Sequence, residues 1–211
     1  NICSADRSAE EQYLEKLLNT CNLHNIPITF NIIGHLLLQT CDGQHGGSHS
    51  EGWFAADPGT DENTDPLFYW SNLSSIIPDQ IVDHEFATHT FSHVLCNEID
   101  DQTLRWELER CIELHKENNI DQPETIVTPR HRSVSYDSLT EIGICGIRAL
   151  KRHPRQSTYE RYKQRAMFWT LHRGHPAYDP TMESEIVELY TTPYPSITAV
   201  HLPHGQSSPI T

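Results

Sequence analysis

The sequence predicts an α/β fold with a largely parallel sheet. Three observations carry that expectation: short β-rich apolar runs, amphipathic stretches of helical period between them, and turn residues at the junctions. Residues 8–23 open on Ser8-Ala9-Glu10-Glu11, the form of a capping box, and continue with Leu14, Leu17, Leu18 and Cys21 at helical spacing. Pro27 ends that pattern, because its ring cannot continue a helix. Ile28-Thr29-Phe30-Asn31-Ile32-Ile33-Gly34 follows as a mostly apolar run with the profile of a strand buried on both faces. Helix, turn and strand together make half of a parallel crossover unit.

Residues 41–66 turn to Gly, Asp, His and Ser, and are expected to form a long loop. A short helix over 73–82 leads to a buried strand at Phe86-Ala87-Thr88. Asp100 or Asp101 can cap the next helix, whose inner face carries Leu104, Leu108, Cys111 and Ile112. Ile126-Val127-Thr128 is a third strand, and a helix over 136–142 stops at Gly143, a residue suited to a left-handed C-terminal cap. Residues 145–148 form a fourth strand candidate. No internal repeat is visible.

The size, 211 residues, suits one domain spanning the whole chain. A hydrophobic content of 36% argues for a folded core and against a disordered tail. No apolar run is long enough to cross a bilayer, so no membrane partner is expected. The net charge of −14 makes nucleic acid an unfavoured partner and suits a salt-rich cytoplasm that screens self-repulsion. Eight of the fifteen basic residues cluster between Arg148 and Arg173, interleaved with Tyr159, Tyr162, Phe168 and Trp169. Their helical spacing favours a solvated helix face over a nucleic-acid surface. The six cysteines contain no CxxC pair and read as reduced thiols of a cytoplasmic protein, without assigned chemistry.

His89-Thr90-Phe91-Ser92-His93 directly follows the Phe86-Ala87-Thr88 strand. Two imidazoles four residues apart, in a helical turn or tight loop, can grip one metal ion. Spacing alone is weak. Fourteen histidines should yield about one such pair by chance, and the chain holds two, the other being His45 and His49. The context of a strand end distinguishes the first, because ligands collect at strand ends in α/β folds.

That context resembles the polysaccharide deacetylase family, whose domain is shared with nodulation-type chitooligosaccharide deacetylases. The run from Ile28 to Gly34 is similar to the family's strand ending in glycine. His84-Glu85-Phe86-Ala87-Thr88-His89-Thr90-Phe91-Ser92-His93 is close to its histidine signature, and Thr128-Pro129-Arg130-His131-Arg132 is similar to its arginine motif. The resemblance implies a distorted (β/α) barrel and a metal-dependent hydrolase that removes N- or O-linked acyl groups from a carbohydrate substrate. It further implies a divalent metal, zinc by preference, held by an aspartate together with His89 and His93, with Arg130 orienting a catalytic base. Leu171-His172 matches the leucine-histidine pair that supplies the general acid, although its place inside the basic segment also suits a surface histidine. The family's first motif, a strand with paired acids, has no counterpart before Ser8, so the domain is expected to be incomplete at both ends. A non-catalytic carbohydrate- or partner-binding module of the same fold is the alternative. The sequence leaves the oligomeric state open.

His45 and His49, beside Asp42 and Glu51, could form a second metal site, but a flexible loop is the favoured reading because no helix or strand fixes them. Glu85 could support a ligand imidazole from behind. Ser92 lies beside His93 without a third residue to suggest a nucleophilic triad.

Overall fold

A computed structural model describes residues 7–70, 72–77, 81–149, 159 and 179–190. It has the expected α/β class. The elements run α1 (Ser8–His24), β1 (Thr29–Ile32), α2 (Leu73–Ile76), β2 (Glu85–Thr88), α3 (Asp101–Glu117), β3 (Thr125–Ile126), α4 (Tyr136–Ile142), β4 (Gly146–Ala149), β5 (Thr181–Glu183) and β6 (Ile186–Tyr190). They build a six-stranded sheet in the order β1-β2-β3-β4-β6-β5, with only the β5–β6 pair antiparallel. β1 to β4 lie side by side in chain order, as successive units do in an arc of a β/α barrel. No helix among the described residues is long and apolar enough to cross a membrane.

Local chemistry explains most boundaries. Asp100 caps α3, its carboxylate accepting the Thr103 N–H at 2.7 Å. Ser135 caps α4, which ends on Gly143 at φ 92°. At α1 the expected capping box does not form. Arg7 holds the N-cap position at φ 59° and Ser8 is already the first helical residue, leaving Glu10 and Glu11 to complement the helix dipole from the first turn.

β1 also departs from expectation. It is four residues long, with Thr29 and Asn31 exposed, because it is the last strand on its side of the sheet among the described residues. The β5–β6 hairpin was not anticipated at all. Its turn residues Ser184 and Glu185 adopt φ 48° and 67°, without the Asn-Gly or Asp-Gly signal that usually announces such a turn.

Two apolar clusters hold the sheet, and α3 serves both. Cys111 and Leu114 pack with Ile32, Phe86 and Phe91, whereas Leu104 and Leu108 pack with Ile126, Leu139 and Ile147. Truncating Leu108, which is 1% exposed, should cost about 2–5 kcal/mol. Glu107 sits on the same inner face with no exposed surface, where a carboxylate needs partners.

Candidate metal centre at the end of β2

β2 delivers His89 at the carboxyl end of the sheet, and the chain leaves through a tight loop rather than a helical turn. Thr90 and His93 adopt φ 65° and 60°, and at the end of neighbouring β3 Arg130 and His131 adopt φ 51° and 50°. Left-handed backbone costs a residue with a side chain about 1–2 kcal/mol, and a β-branched threonine is an outlier there. Four such residues crowd two adjacent strand ends. Strain of this kind persists only where surrounding contacts enforce it, and it collects at functional sites.

The enforcing contacts are visible. The Gly34 and His35 N–H groups donate to the Thr90 and Phe91 carbonyls, each at 3.0 Å. That approach needs a glycine, since a Cβ on Gly34 would stand 2.8 Å from Cys111 Sγ and 3.2 Å from Phe91. Ser92 donates both its N–H and its hydroxyl to the buried Glu107 carboxylate.

In this frame the two imidazoles come together, ring centroids 4.9 Å apart and planes at 60°. His89 Nδ1 bonds the Val127 carbonyl, an acceptor only, so Nδ1 carries the proton and Nε2 keeps a free lone pair. Burial pushes the His89 pKa below its ordinary 6.5, and the charges of His93 and His131 add to the effect against the opposing Val127 bond. His93 is lowered by burial and by the Arg130 charge. Both rings are therefore poised neutral, the state a metal requires. His131 Nδ1 is buried without a hydrogen-bond partner, but it does not join His89 and His93 in a three-ligand group close enough to share an ion.

His89, His93 and Arg130 thus share one end of the sheet, although among the described residues Arg130 makes no ion pair with a carboxylate. His172 lies outside the described residues. Glu85 is not behind a ligand histidine. It accepts from Thr29 and Thr125 at 2.6 Å each, tying β1, β2 and β3 at the strand's opposite end. The Ser92 hydroxyl donates to Glu107 and accepts from the Trp53 indole, and no imidazole is among its hydrogen-bond partners.

Residues 41–66 form the long loop the sequence suggested, but its histidines are fixed rather than flexible. His49 Nε2 bonds Glu107 at 2.6 Å, and the Trp53 indole N–H donates to Ser92 Oγ at 2.8 Å, clamping the loop onto the histidine motif. Between loop and motif lies a cleft of about 270 Å³, lined by Trp53, Phe54 and Phe68 and by the polar His35, Asp57, Ser92 and His93. His45 pairs with neither His49 nor Glu51. It meets Asp57 at 2.6 Å, in a group with His35 and Cys41 whose ligand-type atoms lie within 4.8 Å of one another. Sequence reasoning left Cys41 and His35 without a role. The available signal was two histidines, a cysteine and an aspartate within one short segment.

No family model matches the chain, and no curated protein matches it. Among solved structures, the chain is distantly similar to a Mycobacterium smegmatis protein provisionally named a polysaccharide deacetylase. The two share 21% identity over 64% of this chain, with a TM-score of 0.43. The chain spans only 37% of that protein's length.

Proposed function

We propose that the protein is a metal-dependent hydrolase that removes N- or O-linked acyl groups from a carbohydrate. The observation that carries this reading is the His89–His93 pair, its ring centroids 4.9 Å apart, both pKa values lowered by burial, and the His89 tautomer set by Val127 so that Nε2 is free to ligate. The donor set fits a divalent ion of the zinc class, which takes imidazole nitrogen readily. His89 and His93 would hold it.

When bound, such an ion supplies a water of lowered pKa and polarises an acyl carbonyl. The rest of the chemistry belongs to the chain. Val127 orients His89, and Glu107 holds Ser92 so that His93 keeps its left-handed turn. The Arg130 cation, which bears on His93, favours negative charge at this end of the cleft. Trp53, Phe54 and Phe68 offer ring faces beside polar groups, a surface suited to the C–H face and hydroxyls of a sugar.

The test is acetate release from N-acetylglucosamine oligomers by zinc-loaded protein, with bound zinc measured in parallel. His89→Ala and His93→Ala should each lose one equivalent of zinc and reduce turnover by more than about 100-fold, beyond the loss typical of a residue that only supports a ligand. Retention of that equivalent in both variants would remove the site. One observation favours a second reading, a carbohydrate-binding module without catalysis: Arg130 has no carboxylate partner among the described residues. Oligosaccharide binding without acetate release, with zinc bound, would select it.

A further inference from the structure

The segment from His35 to Asp57 brings four donors of different chemistry to one point. His45 Nε2 and His35 Nε2 lie 2.6 and 2.9 Å from Asp57 Oδ2. Cys41 Sγ lies 3.4 Å from both Asp57 oxygens and 3.8 Å from His35 Nε2. Side-chain exposure is only 12% for His35, 8% for His45 and 6% for Asp57, so water cannot be the main partner of these groups.

Proton accounting shows what the cluster lacks. His35 Nδ1 meets the Phe68 carbonyl at 3.1 Å, and a carbonyl only accepts, so Nδ1 carries the ring's proton. Neutral His35 therefore turns the lone pair of Nε2 toward the lone pairs of Asp57 Oδ2. Two acceptors do not rest 2.9 Å apart without a positive centre between or upon them. The centre is either a second proton on His35 or a cation. The surroundings favour the cation, because a second imidazole and a thiol meet the same carboxylate. The Tyr69 hydroxyl, in a side chain 1% exposed, accepts the Thr60 N–H at 3.1 Å and lies 3.0 Å from Cys41 Sγ. The Gly59 N–H donates to Asp57 Oδ1, which favours the carboxylate. Two imidazoles, a sulfur and a carboxylate make a complete ligand set for one ion.

We propose that His35, Cys41, His45 and Asp57 form a second metal centre, separate from the His89–His93 pair, that takes a four-coordinate divalent ion of the zinc class. Sulfur, nitrogen and oxygen ligands around such an ion stand roughly 3.3–3.8 Å apart, from metal–ligand lengths of about 2.0–2.3 Å. The sulfur contacts already fall there, and the two imidazole–carboxylate contacts need to open by less than about 1 Å. On loading, the Cys41 thiol proton leaves to solvent as the metal–sulfur bond forms. Four protein donors close the coordination shell, so the ion is structural. It fixes the loop that forms one wall of the cleft beside His93.

Cobalt(II) titration of the chelator-treated full chain tests this, because a thiolate ligand gives a sulfur-to-cobalt charge-transfer band that an imidazole pair cannot. We expect one equivalent of cobalt to develop that band, and the band to survive in the His89→Ala/His93→Ala double variant and in Cys145→Ser. Cys41→Ser should abolish it, and Asp57→Asn should weaken cobalt affinity by roughly 100-fold or more, as a lost ligand outweighs a lost supporting contact. Native protein that stays folded yet binds cobalt without the band, or a band unchanged in Cys41→Ser, overturns the proposal whatever the fate of the β2 pair.

Discussion

The end of β2 and the loop over residues 38–70 both gather histidines beside the same cleft, and they do so by opposite means. At β2 the partners are four residues apart on one strained turn, and the sheet holds them through Gly34, Val127 and Glu107. In the second group His35, just after β1, and Asp57, in the loop, are 22 residues apart, and side-chain contacts draw the loop back toward β1. The first arrangement is built by backbone contacts. The second is built by the donors meeting one another around the Asp57 carboxylate. Geometry imposed by a scaffold leaves open coordination positions for chemistry, whereas geometry imposed by the ligands themselves tends to be closed and structural.

Glu107 is where the two regions meet, and removing it should give the largest effect. Its carboxylate accepts from Ser92 in the motif and from His49 in the loop, with no exposure to water. Glu107→Ala would leave buried donors unpaired and should cost about 3–5 kcal/mol in urea unfolding. Amide exchange should accelerate both at Ser92 and across the loop. If only one region loosens, the two are not coupled through this residue.

Gly59→Ala should separate them. Gly59 has φ 60°, and a Cβ there would stand 2.9 Å from the Asp42 backbone, close enough to shift the turn that places Asp57 against Cys41. Left-handed strain and overpacking together suggest about 2 kcal/mol of destabilisation. The loss should appear as weakened cobalt–thiolate absorption, with the zinc equivalent of the His89–His93 pair intact. Equal loss at both sites would show that the loop, not the sheet, orders the β2 turn.

The same contrast explains what the sequence disclosed. Asp100 and Gly143 act within a few residues of themselves, so the start of α3, to within one residue, and the span and end of α4 were legible. The His89–His93 pair was legible for the same reason. β1 was misjudged because Thr29 and Asn31 reveal their exposure only once the strand's place at the side of the sheet is known. The β5–β6 hairpin escaped because Ser184 and Glu185 adopt a conformation their types do not advertise. His35 drew no reading, and Cys41 was one of six thiols without assigned chemistry. The chain between Cys41 and Asp57 passes through Gly43, Gly47 and Gly52, all at positive φ. Periodicity carries no information about such a fold-back.

A smaller effect sharpens the comparison from outside both regions. Asp100→Ala removes the α3 cap and should cost about 1 kcal/mol. α3 carries Glu107, so fraying at its first turn should loosen Ser92 before it affects cobalt binding at Cys41. Amide exchange at Ser92 and the cobalt band, followed in the same variant, check that order.

The smallest expected effect is a pH dependence whose direction is set by burial. His115 is fully buried at the last turn of α3, with Nδ1 bonded to the Asp121 carbonyl at 2.8 Å and Nε2 without a partner. Burial lowers its pKa below 6.5, outweighing the Asp121 bond, and His89 and His93 are lowered by burial as well. A group with a depressed pKa binds protons more readily in the unfolded chain. Stability is therefore full above pH 6.5 and falls as pH drops through 6.5 toward the folded values. Urea midpoints of metal-free protein should decline between neutral and mildly acidic pH, and His115→Gln should flatten part of that decline. The part left in His115→Gln belongs to the β2 pair if it vanishes on adding His89→Ala and His93→Ala. A midpoint independent of pH in the parent chain would mean that neither His115 nor the pair is held neutral by burial, and the distinction between a preformed open site and an ion-built closed one would lose its electrostatic basis.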